Sequence, residues 1–168
     1  MKTLLAAALA ALMLQSPAKP ADYSGQWKLD PARSRNLPGF YAEIASHTLD
    51  VTQTSTHLGV GVVIELRDAR QDTLRFDYAL DGSEVHTRSP VRTPQGRVYL
   101  PITLKARMDD AGVVHITIDR QLRTPAGPRT LTGTEEWRLS PDGATLTVRR
   151  LDETPQGRID TDMVFVRR

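Results

Sequence analysis

Residues 98–122 read VYLPITLKARMDDAGVVHITIDRQL, and this stretch decides the fold. Val98, Leu100, Ile102, Leu104, Ala106 and Met108 occupy every second position, residues 109–112 are turn formers, and Val114, Ile116, Ile118 and Leu122 resume the alternation. A period of two lines up one face of a β-strand, whereas an amphipathic helix needs apolar positions three and four apart. Two such runs joined by four residues predict an antiparallel hairpin, with Gly112 free to take a positive φ.

The same pattern extends in both directions. Leu58, Val60, Val62, Ile64 and Leu66 share a face, as do Leu74, Phe76, Tyr78 and Leu80, and later Leu131, Trp137 and Leu139. Turn signals separate these runs at Asp81-Gly82, Pro94-Gln95-Gly96, Pro125-Ala126-Gly127, Pro141-Asp142-Gly143 and Pro155-Gln156-Gly157. Adding residues 25–29 and 46–54 gives about ten strands, with no room for crossover helices between the later ones. Short connections force antiparallel neighbours. The expected fold is therefore all-β, a single antiparallel up-and-down barrel of about eight to ten strands, because closure removes the vulnerable edges that an open sheet exposes. Two packed sheets are the alternative. Residues 31–45 break the pattern, and Leu37, Phe40, Tyr41 and Ile44 are too apolar for a merely solvated loop. A short helical or coiled segment across one barrel mouth is expected there, with a strap packed outside as the alternative.

The chain has 168 residues, 22 Lys or Arg, 20 Asp or Glu and no cysteine. That length suits one domain with a sufficient core. Without cysteine there is no disulfide, thiolate-ligated metal or thiol nucleophile. Lys2, the apolar run from Leu4 to Leu14, and the small residues Ser16 and Ala18 have the order of a secretory signal. The run is about half the roughly 20 residues that a membrane-spanning helix requires. Residues 1–18 are thus expected to be a signal peptide cleaved after Ala18, residues 19–168 a barrel domain, and the mature protein periplasmic or secreted; a retained anchor is the alternative.

Loss of Lys2 leaves 21 basic against 20 acidic side chains, interspersed as in Arg67, Asp68, Arg70 and Asp72. A nucleic-acid binder would show a basic stripe with stacking aromatics, so no nucleic-acid partner is expected. An outer-membrane barrel needs a continuous apolar outer belt. Here Lys105, Arg107, Asp119, Gln121, Arg123, Glu136 and Arg138 take the outward parity, so no membrane insertion is expected after the signal is removed.

No nucleophile elbow, phosphate loop or dinucleotide motif occurs. His47, His57, His86 and His115 form no His-x-His or His-x-x-x-His pair and are read as structural or surface residues. Asp109-Asp110 precede Gly112 and read as turn formers rather than paired catalytic carboxylates. No catalytic residue, metal or cofactor is assigned.

Tyr23-Ser24-Gly25-Gln26-Trp27-Lys28-Leu29-Asp30, followed by Ser34, resembles the opening of secreted bacterial lipocalin-like proteins of the calycin group, with Gly25 and Trp27 matching their Gly-x-Trp element. Trp137 to Gly143, with Leu146 and Val148, resembles a late hairpin of such proteins. The resemblance implies an up-and-down barrel plugged at one end by Trp27, with Gly25 permitting close approach. It also implies a basic side chain from the last strand over the indole, either Arg167, which shares parity with Met163 and Phe165, or Arg168.

Three charges interrupt apolar parities. Arg120 falls in line with Ile116, Ile118 and Leu122, Glu135 with Leu131 and Trp137, and Arg150 with Leu146 and Val148. A two-residue turn at Asp142-Gly143 would oppose Leu139 to Leu146, Trp137 to Val148 and Glu135 to Arg150. An inward charge must be paired or it costs several kcal/mol. Arg120 and Arg150 therefore either hold a ligand anion, with Glu135 setting their geometry, or form a structural ion pair, or face outward in a register slipped by one. Any ligand inside the barrel is expected to touch Tyr78, Ile102, Ile118, Arg120, Glu135 and Arg150. The leading expectation is a binding protein for a small apolar or amphiphilic molecule; the alternative is an envelope interaction module whose barrel is filled by its own side chains.

Overall fold

The computed structural model describes residues 21–168 other than 94–95, 125–126 and 155–156, so the expected signal and its cleavage point lie outside the described residues. Ten strands follow one another: β1 (Gly25–Leu29), β2 (Ile44–Gln53), β3 (His57–Leu66), β4 (Gln71–Ala79), β5 (Asp81–Thr93), β6 (Gly96–Met108), β7 (Val114–Thr124), β8 (Gly127–Leu139), β9 (Thr145–Thr154) and β10 (Gly157–Arg167). All pair antiparallel in one sheet of order β4-β3-β2-β1-β10-β9-β8-β7-β6-β5. Chain neighbours are sheet neighbours except for β4 and β5, and β1 joins β10 through Trp27↔Arg167 and Leu29↔Phe165. The result is the expected up-and-down barrel, nearly closed: β4 and β5 are the two ends of the sheet order.

Alternation does what the sequence demands of it. Leu58, Val60 and Val62 of β3, Ile102, Leu104 and Ala106 of β6, Val114, Ile116 and Ile118 of β7, and Leu146 and Val148 of β9 are all buried in one core. Among the described residues strand parity gives way towards the rim, at Val98 of β6 and Ile159 of β10. Val98, on the apolar face of β6, is 42% exposed, because this strand runs on beyond the barrel wall to the tip of its hairpin with β5. On the outer surface, Lys105, Arg107, Gln121, Arg123 and Arg138 are exposed. No helix among the described residues is long and apolar enough to cross a membrane.

Two local features differ in detail from expectation. The β8–β9 connection is longer than two residues: Ser140 N donates to Thr145 O at 2.8 Å, so residues 141–144 form the loop, with Gly143 at φ 67°. The register is the same either way, and Glu135↔Arg150, Trp137↔Val148 and Leu139↔Leu146 are opposed. Residues 39–43 form a short 3-10 helix, Gly39–Glu43, that leads directly into β2 at Ile44, two residues before the expected strand start, through a register irregularity between Ile44 and Ser46.

Candidate functional site

The closed end of the barrel is built around Trp27. The ring is fully buried, and its Nε1–H donates to the carbonyl of Tyr23 at 2.9 Å. Tyr23, also fully buried, places its hydroxyl 2.7 Å from Trp137 O and 2.8 Å from Gly112 O, and its ring meets Trp137 edge-on at 6.1 Å. Burial pushes the Tyr23 phenol up to about 12. Of the two candidate arginines, it is the Arg167 guanidinium that lies over the indole, 4.2 Å from the ring centroid. Gly25, at φ 128°, lies beneath it: a Cβ there would fall 2.5 Å from Arg167 Nη1.

Above this floor the barrel is not filled. A cavity of about 210 Å³ is lined by Leu49, Val60, Tyr78, Ile102, Ile118 and Phe165 among others, with Arg120, Glu135 and Arg150 on one wall. It shares Phe40, Ile64, Arg120 and Arg150 with a wider opening of about 850 Å³ at the mouth. The sequence-derived set of Tyr78, Ile102, Ile118, Arg120, Glu135 and Arg150 thus comes together on one cavity. The outward register for the charges does not hold, because Arg120, Glu135 and Arg150 all line this cavity. Phe40 and Tyr41 of the 3-10 helix also line the cavity, so the helix crosses the mouth rather than strapping the outside.

The charges are paired with one another. Arg150 contacts Glu135 at 3.3 Å, and its Nε and Nη2 both donate to Asp152, the latter at 3.2 Å. Arg120 Nη1 donates to the same Asp152 at 3.1 Å. The Glu135 carboxylate, 9% exposed, accepts from Trp137 Nε1 at 2.9 Å. Burial opposes the charge on Arg150, but Glu135 and Asp152 outweigh it and hold the guanidinium protonated. Burial likewise works against the Asp152 carboxylate, and hydrogen bonding and attraction from Arg150 and Arg120 overcome it, leaving its pKa below the usual value. Two cations and two anions form a chain that is neutral as a whole.

Asp152 was missed in the sequence, although it continues the Leu146, Val148, Arg150 parity by one step. Gly133 makes room for it: a Cβ on Gly133 would lie 2.6 Å from Asp152 Oδ1 and 3.1 Å from Arg120 Nη1. The second omission is His47, on the inward parity of β2 with Leu49 and Val51 and only 8% exposed. It is not a surface histidine but lines the cavity. Its Nδ1 lies 3.2 Å from Tyr41 Oη, and burial, reinforced by Arg150, pushes it down to about 4. The other histidines face outward contacts: His57 meets Thr56, His86 meets Thr103, and His115 meets Asp109 at 2.9 Å. Asp109 accepts from Ala111 N and Val113 N as a turn former. Among the described residues no three His, Asp or Glu side chains group to hold a metal ion.

The arrangement is a mostly apolar chamber that widens at the mouth. It carries one neutralised ionic wall and one neutral imidazole, and the Tyr41 phenol beside that imidazole is pushed up to about 12 by burial, with Arg150 opposing the rise. No protein-family model matches the chain, nor does any curated protein. Among solved structures, the zebrafish ileal bile acid-binding protein complexed with cholic acid is similar to it, with a TM-score of 0.44 and 11% identity, covering 87% of this chain and 98% of that one.

Proposed function

We propose that this chain is a periplasmic or secreted binding protein for a small apolar or amphiphilic molecule held inside its barrel. The observation that carries the reading is the unfilled interior: a chamber of about 210 Å³ that continues into an opening of about 850 Å³. Drug-sized ligands occupy pockets of about 300–1,000 Å³ that are mostly apolar with few polar anchors. The chamber alone is below that range, so the occupant places its apolar part in the chamber and extends towards the mouth. Tyr78, Ile102 and Ile118 supply the apolar contact. Arg120, Glu135 and Arg150 act through Asp152 as a self-neutralised wall, the ion-pair alternative of the sequence reading, since an anionic ligand would have to displace carboxylates already in place. A barrel filled by its own side chains, as an interaction module requires, would leave no such chamber.

Titration with Nile red, a neutral dye that brightens in apolar surroundings, tests the proposal. We expect saturable one-to-one binding, lost on Ile118→Trp, which fills the chamber at a folding cost of about 1–3 kcal/mol. Native mass spectrometry of protein purified from its own host should carry the natural occupant. No dye binding to the unaltered protein, or unchanged binding to a folded Ile118→Trp variant, would favour the interaction module.

A further inference from the structure

The imidazole of His47 is wedged between an aromatic wall and the 3-10 helix. It packs edge-on against Phe165 with centroids 5.3 Å apart, and its Nδ1 faces Tyr41 Oη at 3.2 Å. The same phenol lies 3.4 Å from Met163 Sδ, to which it donates. Tyr41 has a single hydroxyl proton. Both contacts are hydrogen bonds at once only if the phenol gives its proton to the sulfur and the imidazole donates from Nδ1 to the phenol oxygen. In that tautomer Nε2 carries a lone pair. His47 Nε2 is buried and has no hydrogen-bond partner among the described residues. Buried polar atoms are almost always paired, and one left bare faces the full cost of its lost hydration.

The charged groups on the cavity's ionic wall are engaged with one another. Arg150 is held by Glu135 and Asp152, Arg120 by Asp152, and Glu135 also by Trp137. A carboxylate head would need to break those contacts and would bring no proton to Nε2. A hydroxyl group needs only to approach it. We propose that the cavity selects a hydroxyl-bearing apolar molecule whose O–H donates to His47 Nε2 while its hydrocarbon fills the chamber; this rests on the binding function proposed above. Tyr41 is a positioning residue, since its oxygen fixes the tautomer that leaves Nε2 an acceptor. Burial keeps the ring uncharged at neutral pH, as an acceptor must be.

Competition against Nile red at neutral pH, with decanol, decyl methyl ether and decanoate as displacers, tests this. The three share a chain and differ in what they offer: a donor, an acceptor alone and an anion. Decanol should displace the dye at roughly tenfold lower concentration than the ether, the scale of one added hydrogen bond, and decanoate should be weaker than decanol. His47→Phe should erase the preference for the alcohol over the ether, and Tyr41→Phe should narrow it by freeing the tautomer. Equal displacement by alcohol and ether from the unaltered protein would overturn the inference, as would tighter binding of decanoate; neither reading requires a variant to fold. Failure of the dye to bind at all would instead remove the binding function beneath it.

Discussion

At the closed end of the barrel Trp27, Tyr23 and Trp137 interlock, and the polar atoms of Trp27 and Tyr23 have backbone partners. From the next inward step towards the mouth, the inward positions carry Arg120, Glu135, Arg150 and His47 around the cavity, with Asp152 lining the opening beyond it. Both regions use the same inward parity of the same strands: β8 supplies Trp137 to one and Glu135 to the other, β9 Val148 and Arg150. The difference teaches that the alternating pattern builds the wall, whereas the residue chosen at each inward step decides whether the space behind it is core or site. One end is packed for stability. The other forgoes packing, and buries groups that favour water, which is the usual mark of a functional region.

The largest effect expected from breaking this contrast is at the floor. Trp27→Ala removes a fully buried indole and the hydrogen bond it donates to Tyr23. Large-to-small core changes of this kind cost about 3–5 kcal/mol. Urea unfolding should register a loss in that range. A change under about 1 kcal/mol would mean that the floor is not the stabilising end.

The mouthward half should instead reveal itself through pH. His47 has a folded pKa of about 4 against an ordinary 6.5. Because the folded pKa is the lower one, the unfolded chain takes up a proton first as pH falls, and stability drops between about pH 6.5 and pH 4, with no further loss from this group below that. At 1.36 kcal/mol per pH unit the total approaches about 3 kcal/mol. Asp152, held low by Arg150 and Arg120, titrates at more acid pH and adds its own loss there. Thermal melts of the unaltered protein and of His47→Gln across this window separate the two: the variant should be flatter from pH 6.5 to 4. Parallel curves would show that His47 is not buried as a neutral ring.

Much of this was legible in the sequence, for a physical reason. A strand has only two faces, so fixing the parity of Trp137 and Val148 also fixes that of Glu135 and Arg150, and their opposition survives the difference between a two-residue turn and the actual four-residue loop. Asp152 obeyed the same rule and went unread because it lies one step past the last apolar residue of its strand. His47 was hidden differently. Its parity with Leu49 and Val51 marked it as inward, but its significance comes from Tyr41 and Phe165, contacts made by the 3-10 helix and by β10 that no strand period encodes. Strand β5 gave the weakest signal, with Val85 half-buried and Ser89 lining the cavity, because a wall facing a chamber needs fewer large apolar side chains than one facing a core.

The smallest effect belongs to Arg167. Its guanidinium covers Trp27 at 4.2 Å, donates from Nη1 to Ser24 O at 2.6 Å and from Nε to Gly143 O at 2.9 Å, and so ties the start of β1 to the β8–β9 loop across the barrel's last seam. The side chain is exposed, and a cation over an indole at such a site contributes about 0.5–1 kcal/mol. Arg167→Met keeps an apolar cover on the ring and removes only the charge and the donors, so a loss of about 1 kcal/mol is expected in urea, well short of that for Trp27→Ala. Gly25→Ala approaches the same contact from below, because its Cβ would meet Nη1 at 2.5 Å in a backbone conformation that alanine resists. The alanine cost should shrink in the Arg167→Met background if guanidinium and glycine fit one another. If the two substitutions are strictly additive, the backbone at residue 25, and not the arginine above it, is what requires glycine.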